Sequence, residues 1–326
     1  SHCGASQAEY DRGIELENHA YRFIHTDNPS ELFGADMKFD VIIGNPPYQL
    51  SDGGHGTSAT PIYQMFVDQA KKLQPKYLSM IIPARWYVGG KGLDDFRSGM
   101  LNDGQLCEIH DFPDATSVFP GVQIKGGVCY FLWQKDHQGL CKVINHHVDK
   151  AESVKIRPLV ENGNEVFIRY NEAISILGKV KIFNEQNISN SVSSRKPFAF
   201  DTTFKGKSKA QKNDVLLFQN GGIGYVDINA IERNQDWVSE HKVLIPRAGS
   251  GSDSFPHPIL GKPFYAPPNS ACTETYIVLG CLPSKTQCNN LCSYVATRFF
   301  RFLVLLAKST QDASSKVYKF VPMQDF

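Results

Sequence analysis

A short apolar run that ends in Asn45-Pro46-Pro47-Tyr48 constrains the fold of this 326-residue chain more than any other feature. The run, residues 39–44, contains Val41, Ile42 and Ile43 and is closed by glycine, asparagine and two prolines, which predicts a buried strand followed by a rigid loop. Proline fixes its own φ and has no backbone N–H. The loop therefore offers carbonyl and amide oxygens as acceptors beside the flat ring of Tyr48. This combination suits chemistry on the exocyclic amine of an aromatic ring.

Strand and helix patterns alternate through the first half of the chain. Short β-branched runs punctuated by Gly and Pro are typical of buried strands, and apolar residues at a spacing of three or four are typical of helices. Their alternation favours an α/β fold whose sheet is mostly parallel and carries helices on both faces. The predicted strands are 41–44, 77–82, 106–112 and 127–133, and the predicted helices are 60–73 and 93–101.

Beyond about residue 145 the segments become shorter, and strand and helix patterns mix. This change predicts two domains, 1–150 and 151–326, of which the second is a mixed α+β domain. The second domain is expected to contain strands at 215–218, 242–245 and 275–279, a helix at 173–183 and one long amphipathic helix over 286–307.

The formal net charge of +1 hides a difference between the two halves. Residues 1–150 hold 13 Lys and Arg against 18 Asp and Glu, whereas residues 151–326 hold 21 against 15. A basic second half points to a polyanionic partner, although a chance partition of surface charge explains an offset of this size equally simply.

The chain has no long apolar run and no secretion signal, so we expect no membrane partner and a cytoplasmic location. The eight cysteines are then free thiols. The spacing of Cys281, Cys288 and Cys292 fits no common zinc pattern, and no metal site is predicted.

Several blocks of the sequence together resemble the N6-adenine DNA methyltransferases of bacterial restriction–modification systems. Residues 39–49 are similar to the strand and catalytic loop of that family, 61–67 to the helix that follows, 77–83 to the next strand, and 118–131 to the loop and strand of the base-binding wall. The basic second half resembles a target-recognition domain. The resemblance implies a partial Rossmann-like methyltransferase sheet, S-adenosylmethionine as cofactor and double-stranded DNA as substrate.

The resemblance also implies roles for individual residues. The Asn45 side-chain oxygen and the Pro46 carbonyl would accept the two N6 hydrogens of a flipped adenine, within a loop that Pro47 stiffens, and Tyr48 would stack on the base. Phe119 would cover the other face of the base, unless it is a core aromatic residue. Lys125 would approach a phosphate or the base, unless it is a surface lysine.

Two further assignments carry simpler alternatives. Asp27 would accept from the adenine amine of the cofactor, but an aspartate before Asn28 also suits a turn or a helix cap. Arg298 and Arg301 would contact DNA, but both also suit the solvated face of a packed helix.

The chain departs from the family in what precedes the catalytic loop. Relatives carry a Phe-x-Gly-x-Gly-type loop that cradles the methionine end of the cofactor, and the 44 residues before Asn45 contain no such loop. We therefore expect an incomplete cofactor site and no methylation by this chain alone. The chain would be a fragment of a longer enzyme that has lost an amino-terminal segment, a gene remnant, or a subunit completed by another chain.

Other functions remain open at this level. Asn-Pro-Pro-Tyr also occurs in glutamine N5-methyltransferases, although about 170 residues beyond the catalytic part argue against that reading. A nuclease site around Pro113-Asp114 and Gln123-Ile124-Lys125 is weak, since Gln replaces the expected Glu; a nuclease domain elsewhere in the same polypeptide is a separate possibility. A non-catalytic, sequence-specific DNA-binding module is the third alternative. Adenine is favoured over cytosine N4 because the loop begins with Asn instead of Ser.

Overall fold

The computed structural model describes residues 20, 22–34, 37–49, 60–90, 92–122, 124, 126–147, 150–161, 166–248, 259–308 and 312–326. Contacts divide the chain into two compact units, Ser1–Asn162 and Gly163–Phe326. The first unit contains strands β1 (Val41–Gly44), β2 (Tyr77–Pro83), β3 (Leu106–Phe112), β4 (Val128–Gln134), β5 (Cys141–Asn145) and β6 (Ser153–Arg157), with helices α1 (Tyr63–Lys72) and α2 (Asp94–Leu101).

The strands of the first unit form a mixed sheet in the order β1-β2-β4-β3-β5-β6 within the described residues. β1 is parallel to β2, and β3 is parallel to β5, whereas β4 is antiparallel to both of its neighbours and β6 is antiparallel to β5. The expectation of a mostly parallel sheet is therefore wrong. Parallel neighbours need a long, usually helical crossover, and the short segment between β5 and β6 cannot supply one.

One face of this sheet forms the core of the unit. Leu78 of β2 and Phe131 and Trp133 of β4 are fully buried on that face. α1 contacts β2, and the ring of Phe96 on α2 packs against Trp86, whose indole N–H reaches the Cys129 sulfur at 3.4 Å. Alternate residues on the opposite face, such as Ile43 and Ile156, are exposed. The described helices α1 and α2 thus account for one of the two faces.

Four strands of the sheet, β1, β2, β3 and β5, point in the same direction. Their carboxyl ends therefore meet at one edge of the sheet, which is where open α/β sheets bind their ligands. The loop that begins at Asn45 leaves β1 at this edge.

The second unit combines two small sheets with three helices in its described residues. The strands are β7 (Asp214–Gln219), β8 (Gly222–Asp227), β9 (His241–Pro246), β10 (Phe264–Ala266), β11 (Ser270–Cys272) and β12 (Tyr276–Leu282), and the helices are α3 (Asn171–Ile182), α4 (Lys285–Ala296) and α5 (Arg298–Ala307). The sheets have the orders β10-β9-β12 and β11-β7-β8. The predicted α+β character of this part is confirmed.

Strand β9 lies between the two cores of the second unit. Val243 and Ile245 belong to the core that contains the helices, and Leu244 belongs to the core over the other sheet. Burial on both faces explains why residues 243–245 of the strand are apolar without polar alternation.

The long helix predicted over 286–307 is in fact the pair α4 and α5, bent by 67° at their junction. Thr297 is extended there, with φ −67° and ψ 150°. Its hydroxyl oxygen accepts from the Phe300 N–H at 3.1 Å, and the hydroxyl donates to the Tyr294 carbonyl at 2.7 Å. Threonine is a favourable N-cap, so a local hydrogen bond ends one helix and starts the next although the apolar spacing continues.

No helix in the described ranges is by itself long and apolar enough to cross a membrane, although the bent pair α4–α5 meets the criteria of length and composition when taken together.

The cap at Thr297 gives a stability prediction. Thr297→Ala should lower the free energy of unfolding by about 1 kcal/mol because α5 loses its N-cap, and Thr297→Ser should retain most of it. Ser293→Ala is the control, since that hydroxyl donates to Asn289 within α4 without capping a helix. Urea unfolding followed by circular dichroism measures the difference. Equal stability of Thr297→Ala and the parent chain would contradict the role of the cap.

Candidate active site

The loop after β1 presents its four residues differently to solvent. Asn45 and Pro47 are exposed, Pro46 is buried and Tyr48 is half-buried. The pairing of β1 with β2 continues up to Gly44 opposite Met80, so the loop starts directly at the edge of the sheet. The two prolines restrict the backbone on both sides of the Pro46 carbonyl. Asn45 is therefore an accessible amide on a stiff support.

Helix α1 anchors the far end of this loop. The Ile62 N–H donates to the Tyr48 carbonyl at 3.2 Å, and Gln49 forms an antiparallel bridge with Pro61. Tyr63, the first residue of α1, is fully buried and contacts the Phe96 ring edge-on at a centroid distance of 6.0 Å. The loop is thus held at one end by β1 and at the other by the start of α1.

The Tyr48 hydroxyl is buried and has no hydrogen-bond partner among the described residues. Burial, with a smaller contribution from the nearby Cys129 thiol, raises the pKa of Tyr48 to about 12. The phenol is therefore neutral at physiological pH. Tyr48 is equipped to contribute an aromatic surface and not a titrating group.

Further polar atoms without a described partner lie in the same core. The Tyr63 hydroxyl and the Arg85 Nε are buried and unbonded among the described residues. Burial, with a smaller contribution from Cys129, raises the pKa of Tyr63, while Arg85 lowers it. Sequence reasoning did not select Tyr63 or Arg85, because Tyr63 fits the apolar pattern of α1 and Arg85 follows β2 without a motif.

Asp27 lies in a turn that also packs on α1. The turn is fixed by the Gln69 amide, which donates to the Thr26 carbonyl at 2.7 Å, and Phe23 packs on Phe66 at a centroid distance of 6.0 Å. Gln69 and Ile62 are two turns apart on α1, or about 10 Å. The structure therefore brings the Asp27 turn and the Tyr48 backbone to the same helix.

The Asp27 side chain itself is exposed, and the helix-capping role belongs to its neighbour. The Asn28 side chain accepts from the Ser30 N–H at 3.2 Å and starts the turn of 3₁₀ helix Pro29–Leu32. Of the two simpler explanations for Asp27, the cap is thus occupied by Asn28, whereas the turn agrees with the position of Asp27.

The structure gives less support for the base-binding wall. Phe119 is half-buried in the turn after Ala115–Ser117, where its N–H donates to the Ala115 carbonyl at 2.8 Å. No ring contact joins Phe119 to Tyr48 in the part of the chain that the structure describes. Gln123 and Lys125 lie outside the described residues.

The two arginines predicted to contact DNA differ in their surroundings. Arg298 is the exposed first residue of α5. Arg301 is half-buried, and its Nη1 donates to the Leu260 carbonyl at 3.1 Å. Arg301 therefore holds a loop to the helix, which is a structural role. Arg298 makes no such bond among the described contacts.

The arrangement fits part of a cofactor site. Asp27 provides an exposed carboxylate, the acceptor that an adenine amine requires, in a turn bonded to α1, the helix whose start anchors the catalytic loop. No described residue is assigned here to the ribose or to the methionine end of a cofactor.

Comparisons with known proteins agree with the geometry. Residues 1–119 match the family model described as Eco57I restriction-modification methylase. The chain is 34% identical over 213 residues to an "uncharacterized adenine-specific methylase" of Mycoplasma pneumoniae, an alignment that covers 60% of this chain and 50% of that protein.

A solved structure shows a related fold. The type IIL restriction-modification enzyme MmeI in complex with DNA matches with a TM-score of 0.50 at 10% identity, over 91% of this chain and 48% of that one. The type IIG restriction endonuclease BpuSI matches with a TM-score of 0.40 at 12% identity, over 88% and 47%.

The chain thus spans about half the length of the curated relative and of these structures. The matched family and the relative are both methylases, and the relative is adenine-specific. The resemblance predicted from residues 39–49 and the later blocks is confirmed: the chain is similar to the adenine-specific DNA methyltransferases of restriction–modification systems.

Proposed function

We propose that this chain carries the catalytic loop of an enzyme that methylates N6 of adenine in DNA, within a restriction–modification system. The observation that carries the proposal is the Asn45–Tyr48 loop, with an exposed amide, a buried proline and a neutral aromatic ring at the carboxyl edge of the sheet. The family match over residues 1–119 supports the same reaction.

The chemistry of the loop follows from its acceptors. An amino group that donates both hydrogens to the Asn45 side-chain oxygen and the Pro46 carbonyl keeps its lone pair directed away from them. Pro47 stiffens the loop, so these acceptors are oriented before the base arrives. When bound, S-adenosylmethionine supplies the methyl group as an electrophile.

The base must leave the duplex before it can reach the loop. Flipping costs a few kcal/mol, and stacking on an aromatic side chain returns about 1–3 kcal/mol per base. Tyr48 provides that surface in our proposal, and Phe119 covers the second face of the base. Lys125 would contact a phosphate beside it.

Recognition of DNA is assigned to the carboxyl-terminal domain, 151–326. Its excess of Lys and Arg supports this assignment, and the structurally similar MmeI was solved in complex with DNA. Arg298 is a candidate for a phosphate contact because it is exposed, whereas Arg301 is already bonded to Leu260. The enzyme would act in the cytoplasm, where the DNA is.

Calorimetric titration with S-adenosylmethionine at millimolar concentration distinguishes a chain that binds the cofactor by itself from a chain that does not. Saturable binding that Asp27→Ala weakens supports a cofactor site within these 326 residues. No heat would agree with the expectation that this chain alone does not methylate DNA, and would leave DNA binding as its measurable activity. Asp68→Ala, on the same helix as Gln69, is the control for a general loss of negative charge.

Asn45 is the residue whose loss should stop the reaction. Asn45→Ala is expected to lower methyl transfer by at least about 100-fold, because one of the two oriented acceptors is removed, while DNA affinity stays within about twofold. The rate of methyl transfer is measured with tritiated S-adenosylmethionine and unmethylated genomic DNA. The assay uses an active preparation that contains this sequence, either alone or within a longer polypeptide. Normal transfer by Asn45→Ala would refute the catalytic assignment.

Tyr48 should act through its ring alone. Tyr48→Phe is expected to keep methyl transfer within about threefold, since the buried hydroxyl has no described partner, whereas Tyr48→Ala loses stacking of about 1–3 kcal/mol. The same assay compares the two variants, with thermal unfolding as the check on folding. If Tyr48→Phe were as defective as Tyr48→Ala, the hydroxyl would have to take part in the reaction.

A further inference from the structure

A buried carboxylate in the second unit faces two arginines. Glu274, in the link between β11 and β12, is 2% exposed. Its Oε1 accepts from the Nε of Arg195 and lies 3.6 Å from the Nε of Arg247. A carboxylate that loses its water needs such partners, because an unpaired buried charge is strongly destabilising. The two arginines come from distant parts of the chain and are brought together by this one side chain.

Arg247 holds the structure through both its Nε and its Nη1. Its Nε donates to the Glu274 carbonyl at 3.2 Å, and its Nη1 contacts the Asp312 carboxylate at 3.3 Å. The backbone next to it is also paired, since the Arg247 carbonyl accepts from the Ala313 N–H at 2.9 Å. Arg247 therefore ties the end of β9 to the segment after α5.

Arg195 is held differently. Its side chain is 67% exposed, and Glu274 binds it through Nε. The two terminal amino groups have no partner among the residues that the structure describes. An arginine fixed at Nε directs its terminal N–H pair outward as a planar fork, the geometry that binds two oxygens of one phosphate.

The surroundings of Arg195 favour an anion. Arg233 donates from Nη1 to the Arg195 and Lys196 backbone carbonyls, at 3.3 and 3.4 Å, so a second cationic side chain is bonded to the backbone of this segment. Lys196 is paired with Asp201. Arg195 and Arg247 share Glu274, Arg247 also pairs with Asp312, and Lys196 pairs with Asp201, whereas Arg233 bonds to backbone carbonyls and to no carboxylate among the described residues. This group of four cationic side chains and three carboxylates therefore carries one excess positive charge.

We propose that Arg195 binds a phosphate of the DNA backbone and that Glu274 is the residue that positions it. This inference rests on the proposed DNA-methylating function and adds a contact that the sequence patterns did not select. The contact positions the protein on DNA and carries no base sequence information. Glu274 acts through Arg195 and does not touch the phosphate.

Fluorescence anisotropy with 30-base-pair duplexes tests the proposal over a range of salt concentrations. Arg195→Gln should weaken binding about fivefold to tenfold and lower the slope of log affinity against log salt by about 1, equally for unrelated duplex sequences. The side chain is exposed, so the variant should fold, which thermal unfolding verifies. Lys179→Gln, which removes an exposed cation from α3, is the matched control and should leave the slope nearly unchanged.

Two more variants test the geometry. Arg195→Lys keeps the positive charge but not the planar fork. Relative to Arg195→Gln, it should restore the salt slope of the parent chain but only part of the DNA affinity. Glu274→Gln should weaken binding in the parent chain but have no further effect in the Arg195→Gln background, since a positioning residue acts only through the residue it positions. Additive effects of the two substitutions would remove Glu274 from the proposal.

The outcomes separate this inference from the proposed function. If the parent chain binds no DNA, the DNA-directed function itself fails. If the parent binds and Arg195→Gln binds with the same affinity and slope, the phosphate site is wrong. A change in sequence preference at constant slope would mean a base contact and would also overturn the phosphate assignment.

Discussion

The parallel pairing of β1 with β2 holds the Asn45–Tyr48 loop at the edge where the strands end. β1 is only four residues long and lies at the edge of the sheet that the described residues form, so this ladder is the support on one side of the loop. The bond from Ile62 to the Tyr48 carbonyl is the support on the other side. Between these two supports, the prolines restrict the backbone of the loop. The accessible Asn45 amide is therefore held in a defined position.

Much of the element order could be predicted from the sequence, because strands with uniform burial leave a clear pattern. The predictions for 41–44 and 106–112 agree with β1 and β3 in their bounds. Strand direction could not be predicted in the same way. The direction of β4 depends on which neighbours it finds in the sheet, and the periodicity of Val128–Gln134 is the same in either direction.

The junction at Thr297 shows the same limit for helices. Apolar spacing continues from α4 into α5, so a reading based on periodicity joins them. The break depends on a hydroxyl that competes for backbone hydrogen bonds, which periodicity does not record. The catalytic loop was recognisable because its four residues are contiguous. Arg195 and Glu274 are 79 positions apart, and neither carries a motif, so only the folded chain brings them together.

The identity of the methylated product tests the central claim most directly. DNA is incubated with S-adenosylmethionine and an active preparation containing this sequence, and its nucleosides are then analysed by mass spectrometry. The account predicts N6-methyldeoxyadenosine, which disappears when Asn45 is replaced by Ala. Methylation of cytosine N4, or of a protein glutamine in place of DNA, would contradict it.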